Sequence, residues 1–243
     1  MSQPPHLSVV PRVEHSANRL LRALAPDDLN LLADLEPVSL KRGYVMIRPN
    51  ERIEHVYFPV DCIGSVVAIT PEGRRIEVGI FGRDGMSATS VLLGSDRSPH
   101  ETFVQVPGAA LRMSVDKFTD ATRQSQSLHQ LLLRYVECFQ VQVAHTALSH
   151  GSYTIEERLA RWLLMCHDRL DGDDLPLVHE FLALMLGVRR SGVTLALQIL
   201  EGAGVIHAKR GLITVHDRGK LEEIAGGSYG VPEVEYRRLI GEF

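Results

Sequence analysis

Residue types and spacing that could do chemistry concentrate between Leu175 and Arg218, which reads LPLVHEFLALMLGVRRSGVTLALQILEGAGVIHAKRGLITVHDR. Val193, Ala196, Leu197 and Leu200 recur at i, i+3, i+4 and i+7, so one face of a helix belongs on a core. The opposite face carries Arg190, Ser191, Thr194 and Gln198, with Arg189 just ahead of them. An α-helix fits the major groove of DNA, and guanidinium and carboxamide groups match the edges of guanine and adenine. Gly202 and Gly204 stop the helix. Val205-Ile206 and Leu212–Val215 then flank a tip, Ala208-Lys209-Arg210-Gly211, whose two cations suit phosphates. Upstream, a short apolar helix runs into a tight turn at Gly187. Val178 stands where that helix would ordinarily have a Ser, Thr or Asp cap, an absence worth roughly 1 kcal/mol. Taken alone, the second helix reads equally as an amphipathic core helix with solvated arginines. Turn, paired arginines, polar outer face and basic hairpin together predict a winged helix-turn-helix that contacts double-stranded DNA.

Other chemistries find less footing. The 11 histidines include His145 and His150, five apart on a helix and so off a common face, and His100 and His129, which have no ligand pattern around them. Cys166-His167 are neighbours on a helix and point about 100° apart, which does not let them share a proton. The 3 cysteines, Cys62, Cys138 and Cys166, are far apart and form no CxxC pair, against a disulfide framework or a cysteine-rich metal site. No Walker or dinucleotide fingerprint occurs. Neither an enzyme nor a bound metal or cofactor is expected.

With 243 residues the chain has room for two domains. A hydrophobic share of 44% and a charged share of 23% are those of a folded globular protein. Net charge is −4, so no global basic signature exists, yet Arg189, Arg190, Lys209, Arg210, Arg218 and Lys220 gather around the proposed helix and hairpin. The first twenty residues lack the pattern of a signal peptide, and no apolar run is long enough for a membrane span. A cytoplasmic location is expected.

The elements that must position the helix can be read upstream. Residues 1–17 have the composition of a loose tail. Asn18–Leu35 shows helical spacing, with Pro26 placed to open a second short helix. Six strands are expected at 44–47, 55–60, 63–69, 75–81, 102–106 and 110–115, which suggests a jelly-roll barrel over 36–115. Ser114 caps a following helix. A long helix over 128–150 carries two apolar stripes, Leu132, Val136, Phe139, Val143 and Thr146, and Leu128, Leu131, Tyr135 and Cys138. Two apolar sides need two partners: the barrel, and most simply the same helix of a second subunit, or else a monomer's own core. Thr154-Ile155-Glu156-Glu157 is a capping box that opens the next helix, which runs to about Leu170. Asp171–Asp174 then forms a link. The expected division is a tail over 1–17, a jelly-roll domain over 18–127, a dimerisation helix over 128–150 and a winged helix-turn-helix domain over 151–243, an α+β fold.

In that order these parts resemble the Crp/Fnr superfamily of bacterial transcription regulators. The most specific phrases are YTIEERLARWLL at 153–164, HEFLALMLGVRRSGVT at 179–194 and LEGAGVI at 200–206, with HVYFPVDCIGSVV and RRIEVGIFGRDGM in the barrel. The resemblance implies a homodimer on a two-fold symmetric operator, with RNA polymerase as a further partner. It makes Arg189, Arg190, Ser191 and Thr194 base and phosphate contacts; Gln198 on the same helix face and Lys209 and Arg210 at the hairpin tip are expected to join them, and the apolar stripe of the long helix puts the expected dimer interface at Leu132, Val136, Phe139 and Val143. Cyclic-nucleotide-binding members follow a glycine with a ribose-binding Glu and hold the phosphate with an Arg-Ser/Thr pair. Here Gly85 precedes Met86, and the later strand opens on His100-Glu101-Thr102, where Glu101 would repel a phosphate. Cyclic AMP is therefore not the expected effector, and the effector's identity stays open. The alternative reading is a ligand-sensing or protein-interaction module whose helix-turn-helix has degenerated.

Overall fold

The computed structural model describes residues 18–242, apart from the side chains at 179 and 180; the expected tail over 1–17 lies outside them. Two short helices come first, α1 (Arg19–Arg22) and α2 (Pro26–Asn30). Asn18 caps α1 by accepting from the Leu21 amide at 3.0 Å, while its Nδ2 donates to the carbonyls of Pro59 and Gly85. Pro26 occupies the first turn of α2, where its missing N–H is not needed.

Two antiparallel sheets follow. One joins β1 (Glu36–Leu40), β7 (Gly108–Ser114) and β3 (His55–Pro59) in that order. The other joins β2 (Val45–Ile47), β6 (Glu101–Val106), β4 (Ile63–Ile69) and β5 (Arg75–Phe81). The six expected strands are present, with ends moved by a residue or two at four of them. The strand missed from sequence is β1, whose Pro37 argues against a strand interior. It is an edge strand paired with β7 alone, the one setting where proline is tolerated.

A short helix, α3 (Thr89–Leu92), lies between β5 and β6, and α4 (Val115–Gln124) begins at Ser114, which accepts from the Lys117 amide. The long helix is α5 (Gln126–Ser152), capped by Ser125. Thr154 and Glu157 form both bonds of the capping box at the head of α6 (Ile155–His167), which stops three residues before the expected end. Then come β8 (Asp174–Leu175), α7 (His179–Leu186), α8 (Arg190–Gly202), β9 (Ile206–Lys209), β10 (Leu212–Val215), α9 (Arg218–Ala225) and α10 (Val231–Leu239). Part of the expected 171–174 link is thus strand: β8 pairs with β10, which also pairs with β9.

The core has two main parts. Val56, Phe58, Leu111 and Met113 of the first sheet pack with Leu20, Phe118, Leu132 and Tyr135. Ile63, Val67, Ile80, Phe103 and Val106 of the second sheet share a core with Trp162, Leu182, Met185, Val193 and Leu197. Strands from the first half and helices from the second therefore bury one another. Buried polar groups tie the same boundary. Arg169 meets Asp84 at 2.6 Å with both side chains buried, and Trp162 Nε1 donates to Glu77 Oε1 at 2.8 Å.

The long helix is covered differently from the sequence expectation. Leu132 and Val136, expected at a dimer interface, are buried within this chain, and Phe139 and Val143 are half-buried. Leu128, Tyr135 and Cys138 are buried as well. Leu132 joins the core that holds Phe58, Met86 and Phe118, while α10, an element not foreseen from sequence, packs along α5 with Tyr236 in the core beside Tyr135 and Cys138. Buried within the chain, Leu132 and Val136 leave no apolar surface for a second subunit.

Glu77 gives a pH signature. Burial pushes its carboxyl up from 4.5 to about 8, with hydrogen bonds from Ser65 and Trp162 only partly opposing. Below pH 4.5 folded and unfolded chains both hold the proton. Between there and about 8 the unfolded chain releases it and the folded chain keeps it, so stability falls as pH rises and levels off above 8. Glu77→Gln stays neutral and keeps an acceptor for Trp162. Urea unfolding of both proteins from pH 5 to 8.5 should show wild type losing up to a few kcal/mol relative to Glu77→Gln. A pH-independent difference between the two would refute this account.

Candidate nucleic-acid interface and barrel cavity

Two helices and a hairpin assemble the candidate interface. The first, α7, begins at Val178 with no side-chain cap bond, as its sequence suggests, and ends on Gly187 at φ 60°. The Gly187 amide donates to the Leu184 carbonyl and the Val188 amide to that of Ala183, the paired bonds of a Schellman closure. The positive φ favours glycine here, and a Cβ would also press on Ile76 Cδ1 of β5 at 3.0 Å.

The turn delivers α8 with Val193, Ala196, Leu197 and Leu200 buried. Arg189, at its N-cap, and Arg190, Ser191, Thr194 and Gln198 are exposed. Thr194 Oγ1 donates back to the Arg190 carbonyl at 3.1 Å, which leaves its methyl and an oxygen lone pair facing out. No side chain caps the α8 N-terminus, so its first-turn amides carry the positive end of the helix dipole alongside two arginines. Two further residues, not singled out from sequence, share this outer surface: Leu195 is 56% exposed and Ile199 46%. Their signal was present as apolar residues off the buried stripe.

The hairpin is tighter than the expected four-residue tip. Lys209 pairs with Leu212, leaving Arg210-Gly211 as a two-residue turn with Gly211 at φ 80°. Lys209 and Arg210 are exposed. Glu201 fastens the hairpin to α8 by accepting from the Ala208 amide at 2.8 Å. Two other cations in the sequence cluster are engaged elsewhere. Arg218 bonds Asp168, Glu222 and Tyr229, and Lys220 Nζ donates to the Ala203 carbonyl at the end of α8. Both are therefore structural ties.

In the barrel, a cavity of about 210 Å³ is lined by Ile47, Val66, Phe81, Met86, Leu93, Ser98, His100 and Thr102, with Phe139 of α5 closing one side. Gly85, which precedes Met86, lacks a side chain because Tyr135 Oη fills that space. Glu101 does not line the cavity; it pairs with Arg75 on β5. The repulsion expected from Glu101 is therefore not what shapes this cavity, since its charge is paired with Arg75 across β4. Among the described residues no lysine or arginine lines it.

Cys166 is fully buried, and burial raises its thiol well above the ordinary value, which removes the thiolate a nucleophile requires. His167 beside it bonds Asp173 and Arg218. Among the described residues no three of His, Cys, Asp and Glu converge as metal ligands, and no helix is long and apolar enough to cross a membrane.

Comparison with known proteins places this geometry. Residues 157–224 match the model of the Crp-like helix-turn-helix domain. No match was found among curated proteins. Among solved structures, FixK2 from Bradyrhizobium japonicum superposes with a TM-score of 0.67 at 17% identity, covering 79% of this chain and 98% of that one. A Crp/Fnr-family transcriptional regulator from Thermus thermophilus gives 0.59 at 18% identity, over 78% and 98%. The c-di-GMP-responsive global regulator CLP of Xanthomonas campestris gives 0.60 at 16% identity, over 79% and 99%. These identities speak to fold, and the domain match speaks to the part that carries α7, α8 and the hairpin. The chain has the fold of the Crp/Fnr transcription regulators, and its residues 157–224 match the Crp-like helix-turn-helix domain.

Proposed function

We propose that the chain is a sequence-specific DNA-binding transcription regulator, acting in the cytoplasm as a homodimer on a two-fold symmetric operator and not controlled by cyclic AMP. The observation that carries this reading is the exposed outer face of α8, headed by Arg189 and Arg190 in a Crp-like helix-turn-helix. Arg190 in the first turn suits a bidentate contact to guanine, worth about 1–3 kcal/mol of discrimination. Arg189, Ser191, Thr194 and Gln198 complete the base and phosphate contacts. Lys209 and Arg210 at the hairpin turn suit phosphates, which position without reading sequence. Arg190→Ala should collapse the preference for operator over random duplex. Lys209→Ala should weaken both alike and lower the salt slope by about one unit. Fluorescence titrations of both variants at several salt concentrations decide it, and an unchanged specificity ratio in Arg190→Ala would remove Arg190 from the groove. If neither variant nor wild type prefers any sequence, the degenerate interaction module is the better reading.

The homodimer reading now rests on a different stripe of α5. Leu133, Gln140, Ala144, Ala147 and Leu148 are exposed and follow three- and four-residue spacing, so they share one line along the helix. Small residues at 144 and 147 allow two helices a close approach. Wild type should sediment at twice the 27.0 kDa chain mass, and the Ala144→Glu, Leu148→Glu double variant as a monomer. Wild type that stays monomeric at micromolar concentration would end the dimer proposal.

Independence from cyclic AMP is supported by the barrel cavity. Met86 offers no acceptor to a ribose hydroxyl, and the lining holds no arginine for a cyclic phosphate. Calorimetric titration with cyclic AMP and cyclic GMP should yield no heat at physiological concentrations; saturable micromolar binding of either would overturn this part.

A further inference from the structure

The exposed leucine of the recognition helix has no role in the hydrogen-bonding account of DNA contact. At about 100° per residue, Leu195 stands about 40° around α8 from Ser191, on the side away from Thr194 and Gln198 and on the half of the helix opposite Val193 and Leu197. It is 56% exposed, and Ile199 one turn on is 46% exposed. A single exposed leucine on a protein surface needs no explanation, but this one borders the polar face of Arg190, Ser191, Thr194 and Gln198 and, with Ile199, points outward beside it. The cations at the head of the helix favour a polyanion as the occupant of this face over a second copy of this acidic chain. Any helix that enters a major groove presses its outermost side chains against base edges. Those edges display donors, acceptors and one apolar group, the C5 methyl of thymine. A leucine set against a guanine or cytosine edge strips water from polar atoms and returns no hydrogen bond. Set against a thymine methyl, it buries apolar surface on both partners.

We infer that Leu195 is a specificity-determining residue that selects a thymine in each half-site through its methyl group. The inference rests on the DNA-binding reading above, and its test separates the two. The operator recovered by wild-type protein from a randomised duplex library is resynthesised with uracil replacing thymine, one position at a time. Uracil keeps the pairing and the O4 acceptor and lacks only the methyl. Wild type should lose about three- to fivefold in affinity at one symmetric pair of positions, the worth of one buried methyl group. Leu195→Ala should bind thymine and uracil operators alike at that pair. Leu195→Met, which keeps an apolar contact, should retain part of the thymine preference. Insensitivity of wild type to every uracil swap overturns the inference while leaving DNA binding in place. So does a penalty that persists undiminished in Leu195→Ala, or a Leu195→Ala protein whose change is in self-association instead. Failure to recover any operator would remove the DNA-binding reading itself and this inference with it.

Discussion

Much of the molecule hangs on the turn Gly82-Arg83-Asp84-Gly85 that follows β5. Asp84 is buried with Arg169 from beyond α6, and its Oδ1 also accepts from the Gly82 amide at 2.8 Å. The backbone of the same turn receives three bonds, two from the head of α1 and one from α10: Arg19 N–H to the Arg83 carbonyl, Asn18 Nδ2 to that of Gly85 and Tyr236 Oη to that of Asp84. Arg83 returns the link by donating to the Arg169 carbonyl and pairing with Asp171. The N-terminal helix, barrel, α6 and C-terminal helix thus meet at four residues. Removing one member of such a buried ion pair costs about 3–5 kcal/mol, because the other is left charged without a partner. Glycine at 82 and 85 follows from the crowding: a Cβ would run into Arg169 at the first and Tyr135 at the second.

That junction fixes what the helix-turn-helix can show to its surroundings. Leu182, Met185 and Leu186 of α7 share a core with Ile63, Val67 and Phe103 of the second sheet, and Phe181 lies 5.7 Å from Phe103 between ring centroids. Arg42 also donates to the Pro176 carbonyl at 2.8 Å. The first helix of the pair is therefore held by the barrel, which leaves the outer face of α8 turned to solvent. Sequence and packing agree on this point for a plain reason. A face of Arg, Ser, Thr and Gln, in which only Leu195 and Ile199 are large and apolar, offers little area to bury against the rest of the described chain.

Features set by neighbours in sequence were readable before any coordinates. The capping box at Thr154 and Glu157, the glycine stop at Gly187 and the bounds of β4 and β5 all rest on local chemistry, and all stand as read. What escaped depended on distant partners. Pro37 hid β1 because only its edge position makes it a strand. Both apolar stripes of α5 were ascribed to barrel and partner, whereas α10 from a hundred residues on supplies part of the cover. Glu101 and Arg218 looked free as charges, and each is committed to an ion pair that no spacing rule discloses. Leu195 and Ile199 were missed for the opposite reason: a periodicity argument counts residues that match the buried stripe and passes over those that do not.

The same long-range logic gives Phe139 its meaning. On sequence it belonged to a helix stripe waiting for another helix. In the fold its ring closes one side of the barrel cavity and presses on the backbone at Gly79, where a Cβ would come within 2.9 Å of it. One turn further along α5, Gln142 Oε1 accepts from the buried Ile80 amide at 2.7 Å. Phe139 and Gln142 thereby lock α5 to β5, the strand that also carries Glu77 to Trp162 of α6. Cavity wall, long helix and the helix leading to α7 are thus joined through a single strand. A change in cavity contents that moved Phe139 would act on α5 and β5 together, because close-packed interiors transmit displacement and do not absorb it.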